Sequence, residues 1–151
     1  MEILISVIAL ILSVISGGFA FFTFQWTAAR DRKQATLDAY NRLQEQALDH
    51  INTYAPAQMK EIAKDAHAPE YKTISLYLAR IEHFCVGVNQ KIYDPKTVYE
   101  LAHGYFDGGL KRRVDPIISQ KNQSGEDFYA NIHKVFVWME NETQKREIKR
   151  S

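Results

Sequence analysis

Residues 3–24 read ILISVIALILSVISGGFAFFTF, and no charged side chain occurs between Glu2 and Arg30. At about 1.5 Å per residue, a helix of this length spans about 33 Å, close to the hydrocarbon thickness of a bilayer. A helix that is apolar on every side needs either lipid or a large protein around it. In a chain of 151 residues, this run therefore predicts a transmembrane helix.

The flanks of the run predict its orientation. Arg30, Arg32 and Lys33 follow it, and Trp26 precedes them at a position where an indole favours the headgroup region. Because cationic flanks stay in the cytoplasm, we expect the N-terminus outside the inner (plasma) membrane and the rest of the chain inside. The short acidic N-terminal flank disfavours a cleaved signal peptide, which has a basic one.

Small and hydroxyl-bearing residues recur along the run at alternating three- and four-residue steps. They are Ser6, Ala9, Ser13, Ser16, Ala20, Thr23 and Thr27, with Gly17 beside them. Because small residues let membrane helices approach closely, the stripe predicts either a packing seam in a homo-oligomer or a hydroxyl-lined pore. A lipid-facing anchor with an accidental stripe is the third reading, since hydroxyls also bond to their own helix carbonyls.

The rest of the chain has the composition of one small cytoplasmic domain. The net charge of +1 does not favour a nucleic-acid partner, and the single cysteine, Cys85, excludes an intrachain disulfide. Apolar residues recur at helical spacing, with no sustained strand-like alternation. We predict an all-α chain with a transmembrane helix (1–27), a juxtamembrane helix (28–56) and a helical domain (57–151) that packs with it. The cytoplasmic bundle would contain about four or five helices.

The juxtamembrane helix is expected to continue from the membrane and to end or kink at Pro56. Asp38 and Arg42 have the acid-first i,i+4 spacing of an ion pair on its outer face. A short helix over 57–66 is expected next.

Capping signals predict the remaining helices. A long helix is expected over 70–91, with one buried apolar stripe formed by Tyr71, Ile74, Leu78, Ile81, Cys85, Val88 and Ile92. Asp94-Pro95 reads as a cap followed by proline at the first helical position. Gly108-Gly109 is expected to interrupt that helix, and Asp115-Pro116 repeats the cap-then-proline signal. Residues 110–120 could therefore form one kinked helix or two pieces. Ser124-Gly-Glu-Asp127 fits a capping box and predicts the start of the last helix.

Four short segments of the bundle carry a resemblance to a known family. They are Leu76-Tyr-Leu-Ala-Arg-Ile-Glu82, Val86-Gly87-Val88, Ile92-Tyr-Asp94 and Asp115-Pro116-Ile117-Ile118. From Arg30 to Glu140 the chain resembles an uncharacterised bacterial family of small single-pass membrane proteins with a helical cytoplasmic domain of unknown function. The resemblance implies that topology and fold, and it brings no established activity or catalytic residues.

Glu82 lies beside the apolar stripe of the 70–91 helix, where an unpaired carboxylate would be costly. We expect it to form a buried polar contact that fixes the bundle, with Arg112, Arg113 or His83 as the partner. A ligand-binding or catalytic acid is the alternative reading.

Glu100-Leu-Ala-His103 and Asp107 place three potential metal ligands on one helical face. A di-iron bundle uses two Glu-x-x-His motifs and two further glutamates, whereas this chain has one such motif. No P-loop, dinucleotide fingerprint or nucleophile elbow occurs either. We therefore predict no metal site, no cofactor and no enzymatic activity.

These features favour a membrane-anchored homo-oligomer whose cytoplasmic helical domain senses or binds something. Bacterial stress or phage-defence effectors that permeabilise the membrane share this layout. The alternative is a static anchor that recruits a cytoplasmic partner protein. A membrane-tethered hydrolase or metalloenzyme rests only on Glu82 and the Glu100/His103 pair. The expected partners are the lipid bilayer, further copies of the chain and a cytoplasmic protein.

Overall fold

The computed structural model describes residues 2–123 and 125–149, without the side chains of residues 2–5, 8 and 9. These described residues form α-helices joined by short turns and contain no strand, so the predicted all-α fold is confirmed. One helix, near the N-terminus, is long and apolar enough to cross a membrane.

This helix runs without a break from Glu2 to Asn52. It consists of α1 (Glu2–Leu43), a π-helical segment (Gln44–Leu48) and a short α2 (Asp49–Asn52). The predicted boundary between residues 27 and 28 therefore falls inside one continuous helix. The apolar N-terminal part of this helix and its charged C-terminal part are joined without a hinge.

Burial along the long helix changes at a single point. Every residue from 10 to 35 is exposed, and Thr36 is the first buried one. Beyond it the core-facing residues are Tyr40, Leu43, Ala47, Leu48 and Ile51. Two of them are adjacent because the wider π turn places an extra residue in each turn, so both Ala47 and Leu48 face the core.

The next two helices begin at prolines, whose fixed φ and missing N–H suit the first helical position. Pro56 opens α3 (Pro56–Ile62), and α4 extends over Pro69–Asn89, close to the predicted 70–91. Two residues beyond the end of α4, Lys91 has a left-handed backbone conformation, with φ of 58°.

The fourth stretch of helix continues through Gly108-Gly109 without stopping. Asp94 caps α5 (Pro95–Tyr105) as predicted, by accepting a hydrogen bond from the Thr97 N–H. The predicted interruption at Gly108-Gly109 is wrong, because a π-helical segment, Phe106–Leu110, carries the helix on into α6 (Lys111–Asn122). The second cap-then-proline prediction is also wrong, because Pro116 lies inside α6, where the buried Val114 already belongs to the helix.

The last helix, α7 (Ala130–Ile148), begins later than the predicted capping box. Ser124, the first residue of that box, lies outside the described residues. Tyr129 precedes the helix without a side-chain cap of its own. The first turn of α7 is capped from another helix instead, as described below.

Helix α4 lies at the centre of the bundle and packs against α7, the end of α1 and the first π segment, while α3 packs on α6. The predicted stripe of α4 is buried at Tyr71, Ile74, Leu78, Ile81, Cys85 and Val88. Ile92, expected to extend the stripe, follows the helix end and is exposed. Burial raises the pKa of the Cys85 thiol, as expected for a packing residue.

Candidate functional site

A cleft of about 420 Å³ opens between the bundle end of α1 and the outer face of α4. Its lining combines cationic, aromatic and aliphatic side chains, and none of the acidic residues that the structure describes contributes to it. The lining residues are Ala39, Arg42, Leu43, Gln46, Leu76, Ala79, Arg80, His83, Phe84 and Tyr93. Ligand pockets of proteins commonly begin at about 300 Å³, so the cleft is large enough for a small molecule.

Helical spacing places several of these side chains on the walls of the cleft. Leu76, Arg80 and His83 share one face of α4 because they are separated by four and three residues. The π segment that follows Leu43 carries Gln46 to the opposite wall.

The aromatic wall of the cleft depends on a glycine. The ring of Tyr93 stacks on Phe84, with 5.1 Å between the ring centroids and 20° between the planes. A Cβ on residue 87 would overlap the Tyr93 ring, so only glycine leaves room for this stack. The absence of a side chain at Gly87 thus allows the Tyr93 ring to lie in this position.

The two arginines of the cleft form no ion pair within the described part of the chain. The predicted Asp38–Arg42 ion pair is wrong: it does not form, and the Asp38 carboxylate accepts a hydrogen bond from the Gln34 amide at 3.1 Å. Neither Arg42 nor Arg80 forms an ion pair with any described residue. The guanidinium of Arg80 is held in place by a 2.7 Å hydrogen bond from Nη1 to the Gln46 carbonyl.

The first π segment receives side-chain donors at two of its carbonyls. Besides the bond to Gln46, the Tyr105 hydroxyl donates to the Leu48 carbonyl at 3.1 Å, and burial raises the pKa of Tyr105 to about 12. A π turn disrupts the usual i→i−4 pattern, so external donors can stabilise its carbonyls. Arg80 therefore links the cleft directly to the helix that leaves the bundle.

A second contact joins the long helix to the bundle at the point where burial begins. The Thr36 hydroxyl donates to the Arg32 carbonyl at 2.7 Å and accepts the Asp94 N–H at 2.9 Å. Partial burial opposes ionisation of Asp94, but hydrogen bonds from Thr97 and the nearby Lys33 and Arg32 together lower its pKa. This capping aspartate thus lies beside the basic flank.

Glu82 caps α7 rather than pairing with a cation. Its Oε1 accepts hydrogen bonds from the Asn131 N–H (3.1 Å) and amide Nδ2 (2.7 Å), and its Oε2 accepts the Ile132 N–H (2.9 Å). Within the described residues, neither Arg112 nor Arg113 bonds to it. Arg112 is exposed, and the guanidinium of Arg113 lies over Gly109. The polar contact expected at Glu82 exists, with helix N–H groups as its donors.

A family model matches residues 8–137, under the description "Domain of unknown function (DUF4760)". The match covers most of the chain. The chain belongs to this family. No curated protein and no solved structure matches the chain.

The match begins within the apolar part of α1 and ends within α7. The DUF4760 domain therefore includes both the exposed apolar helix and the bundle. Both walls of the cleft lie inside the match.

The small-residue stripe lies on the exposed part of α1. Its described side chains, Ser6, Ser13, Ser16, Gly17, Ala20, Thr23 and Thr27, are all exposed, and the side chain of Ala9 lies outside the described residues. The Thr23 hydroxyl donates to the Phe19 carbonyl of its own helix at 2.9 Å. The residues expected at the membrane interface, Trp26, Arg30, Arg32 and Lys33, are exposed as well.

The Glu100/His103 pair is engaged within its own helix. The His103 ring stacks on Tyr99 at 4.7 Å, and its Nδ1 lies 2.8 Å from the Tyr99 carbonyl oxygen. Glu100 lies 4.0 Å from Lys96. Among the described residues, no three His, Cys, Asp or Glu side chains are grouped closely enough to hold a metal ion.

The cleft residues were missed by sequence reasoning because its walls come from distant segments. Arg42 had been assigned to an ion pair with Asp38, and His83 had been considered only as a partner of Glu82. Arg80 and His83 lie on the polar side of α4, which reads as an ordinary solvated face. Their proximity to Arg42 depends on how α4 packs on α1, which no local pattern reveals.

Proposed function

We propose that this protein is a single-pass membrane protein in which the apolar part of α1 crosses the bilayer. The single observation that carries the proposal is the long helix itself, which leaves the bundle at Thr36 and exposes every residue from 10 to 35. Its phenylalanines are exposed by 65% (Phe21) to 71% (Phe19). An apolar surface of this extent is costly in water, and lipid would cover it.

The orientation follows from the charges at the foot of the helix. Arg30, Arg32 and Lys33 are exposed beyond the apolar run, and clusters of this sign stay in the cytoplasm. The bundle then lies on the cytoplasmic side of the inner membrane and the N-terminus outside. The lipid bilayer is the first partner of the protein.

The membrane helices self-associate through the small-residue stripe. The stripe faces outward along the exposed helix, where a second copy of the chain would allow close packing of the two backbones. The Thr23 hydroxyl is already bonded within its helix, so it needs no pore water as a partner, and the small size of the stripe residues supports a packing seam.

The bundle acts as the sensing or binding domain, and the cleft is its binding site. Arg80 lines the cleft and also donates to Gln46 in the π segment of the long helix. A ligand that engages the other donors of the Arg80 guanidinium would act, through this bond, on a helix continuous with the membrane segment. Binding in the cleft is thereby linked to a response of the membrane helices, which includes permeabilisation. A static anchor would need no bond between the cleft and the long helix.

Mass determination of the full chain in mild detergent tests the self-association. We expect an oligomer, and we expect Ser13→Leu to shift it toward the monomer because the larger side chain separates the backbones. Gly18→Leu is the matched control, because residue 18 lies about 140° around the helix from residue 13. Ion flux through liposomes that contain the protein separates a permeabilising response from a static anchor.

A monomeric wild-type protein in detergent and in liposomes would overturn the proposed oligomer. Equal effects of Ser13→Leu and Gly18→Leu would show that the stripe is not the contact.

A further inference from the structure

We propose that the cleft between α1 and α4 binds a small, soluble phosphate ester. Its phosphate group would lie at Arg42 and Arg80, and its organic part would lie against the aromatic and aliphatic wall. This inference deepens the binding role proposed above. It rests on the proposed placement of α1 in the membrane only where it uses the distance of the cleft from the bilayer.

The charge of the cleft favours an anion with more than one negative charge. Arg42 and Arg80 contribute two permanent positive charges, His83 adds an imidazole, and no carboxylate lines the cleft. A phosphate monoester carries between about −1.5 and −2 charges at neutral pH and has three acceptor oxygens. Guanidinium groups bind such oxygens in a planar, bidentate fashion.

Arg80 is partly preorganised for this role. Its Nη1 donates to the Gln46 carbonyl at 2.7 Å, which fixes the guanidinium at the wall of the cleft. A guanidinium has five N–H donors, so the remaining donors stay available for a ligand. Arg42 has no ion pair among the described residues and needs no partner to be displaced.

The rest of the lining suits an organic group rather than free inorganic phosphate. The volume of about 420 Å³ greatly exceeds that of a single phosphate ion and lies in the range of small-molecule pockets. The Phe84–Tyr93 stack and the exposed Leu76, with 54% of its surface accessible, form an apolar wall. A ring or sugar attached to the phosphate would cover this wall.

The distance from the membrane favours a soluble ligand over a lipid headgroup. From Phe24, the end of the apolar run, to Arg42 the helix rises by about 27 Å. The headgroup region on one side of a bilayer is only about 5–8 Å thick. With the bundle outside the bilayer, the cleft lies beyond the reach of phosphate groups in the same membrane.

Titration calorimetry on the full chain in mild detergent tests the proposal. The probes are adenosine 5′-monophosphate and glucose 6-phosphate, with adenosine, glucose and inorganic phosphate as partial ligands. We expect saturable binding of at least one ester and at least about tenfold weaker binding of its uncharged parent, because charged hydrogen bonds are lost. Arg42→Gln should weaken ester binding by at least about tenfold, whereas Arg112→Gln, an exposed control with the same charge change, should not.

Three results would overturn the proposal: no saturable binding of either ester, equal binding of ester and uncharged parent, or equal effects of the two arginine variants. A fourth is stronger competition by phosphatidylcholine vesicles containing phosphatidic acid than by the soluble esters, which would identify a lipid ligand. The mass of the protein in the same samples tests the proposed oligomer independently of the proposed ester binding. Ester binding by a monomer would contradict only the proposed oligomer, and an oligomer that binds no ester would contradict only this inference.

Discussion

Lys91 adopts a left-handed backbone conformation, with φ of 58°, in which side chains other than glycine are disfavoured. It follows α4 at the position where glycine ends many helices. The Ile92 N–H bonds to the Gly87 carbonyl and the Lys91 N–H to the Val88 carbonyl, both at 3.0 Å. This is the Schellman pattern, which directs the chain back toward Tyr93 and the cleft.

Lys91→Gly should therefore raise the free energy of unfolding by about 0.5–1 kcal/mol, because it removes the left-handed strain. Denaturant titration of the full chain in detergent, followed by circular dichroism, measures this change. Lys72→Gly in the exposed face of α4 is the control and should lower stability by about 1 kcal/mol. A loss of stability in Lys91→Gly comparable to that control would contradict the assigned conformation.

At the scale of elements, α7 depends on α4 for its first turn. The Glu82 carboxylate bonds to two of the first N–H groups of α7 and also compensates the positive end of the helix dipole. Asn131 extends the link, because its side-chain oxygen accepts a hydrogen bond from Asn89 of α4 at 2.9 Å. Helices α4 and α7 are thus joined by polar contacts as well as by apolar packing.

Glu82→Gln should lower the free energy of unfolding by about 1–2 kcal/mol, since the charge and one acceptor for the α7 N–H groups are lost. Glu126→Gln is a close control, because Glu126 precedes α7 in sequence but forms no hydrogen bond with it. We expect the control to change stability by less than about 0.5 kcal/mol. Equal losses in the two variants would mean that the Glu82 contact does not stabilise the helix.

Prediction from sequence succeeded where local chemistry decides the structure. Asp94-Pro95 caps α5 as expected, because the aspartate bonds to a residue three positions later. The same dipeptide at Asp115-Pro116 does not start a helix, because the residues before it are already helical and packed. The cap of α7 could not be predicted either, since it comes from Glu82, a residue distant in sequence.

The cleft could not be predicted from sequence either, because its walls come from segments that are distant in sequence. Arg42 and Arg80 face each other only after α4 has packed on the long helix, and each alone resembles a solvated surface arginine. The exposed apolar helix, in contrast, follows from composition alone, because length and absence of charge are sufficient to define it.

In the molecule as a whole, one helix forms both the exposed apolar segment and part of the core. Residues 10–35 are exposed, and Leu43, Ala47 and Ile51 of the same helix are buried in the bundle. Because the helix has no break between these regions, a displacement of the bundle would be transmitted to the exposed apolar segment rather than absorbed by a flexible linker. The proposed function depends on the placement of this helix across the membrane.

Labelling of a single exposed cysteine with a membrane-impermeant maleimide tests this placement most directly. Lys149→Cys introduces an exposed thiol near the end of α7, and the native Cys85 is buried, so the wild-type protein serves as the unlabelled control. In spheroplasts of a bacterium that produces the full chain, we expect the variant to sediment with the membrane and to react only after the membrane is disrupted. Labelling in intact spheroplasts, or recovery of the protein in the soluble fraction, would contradict the account.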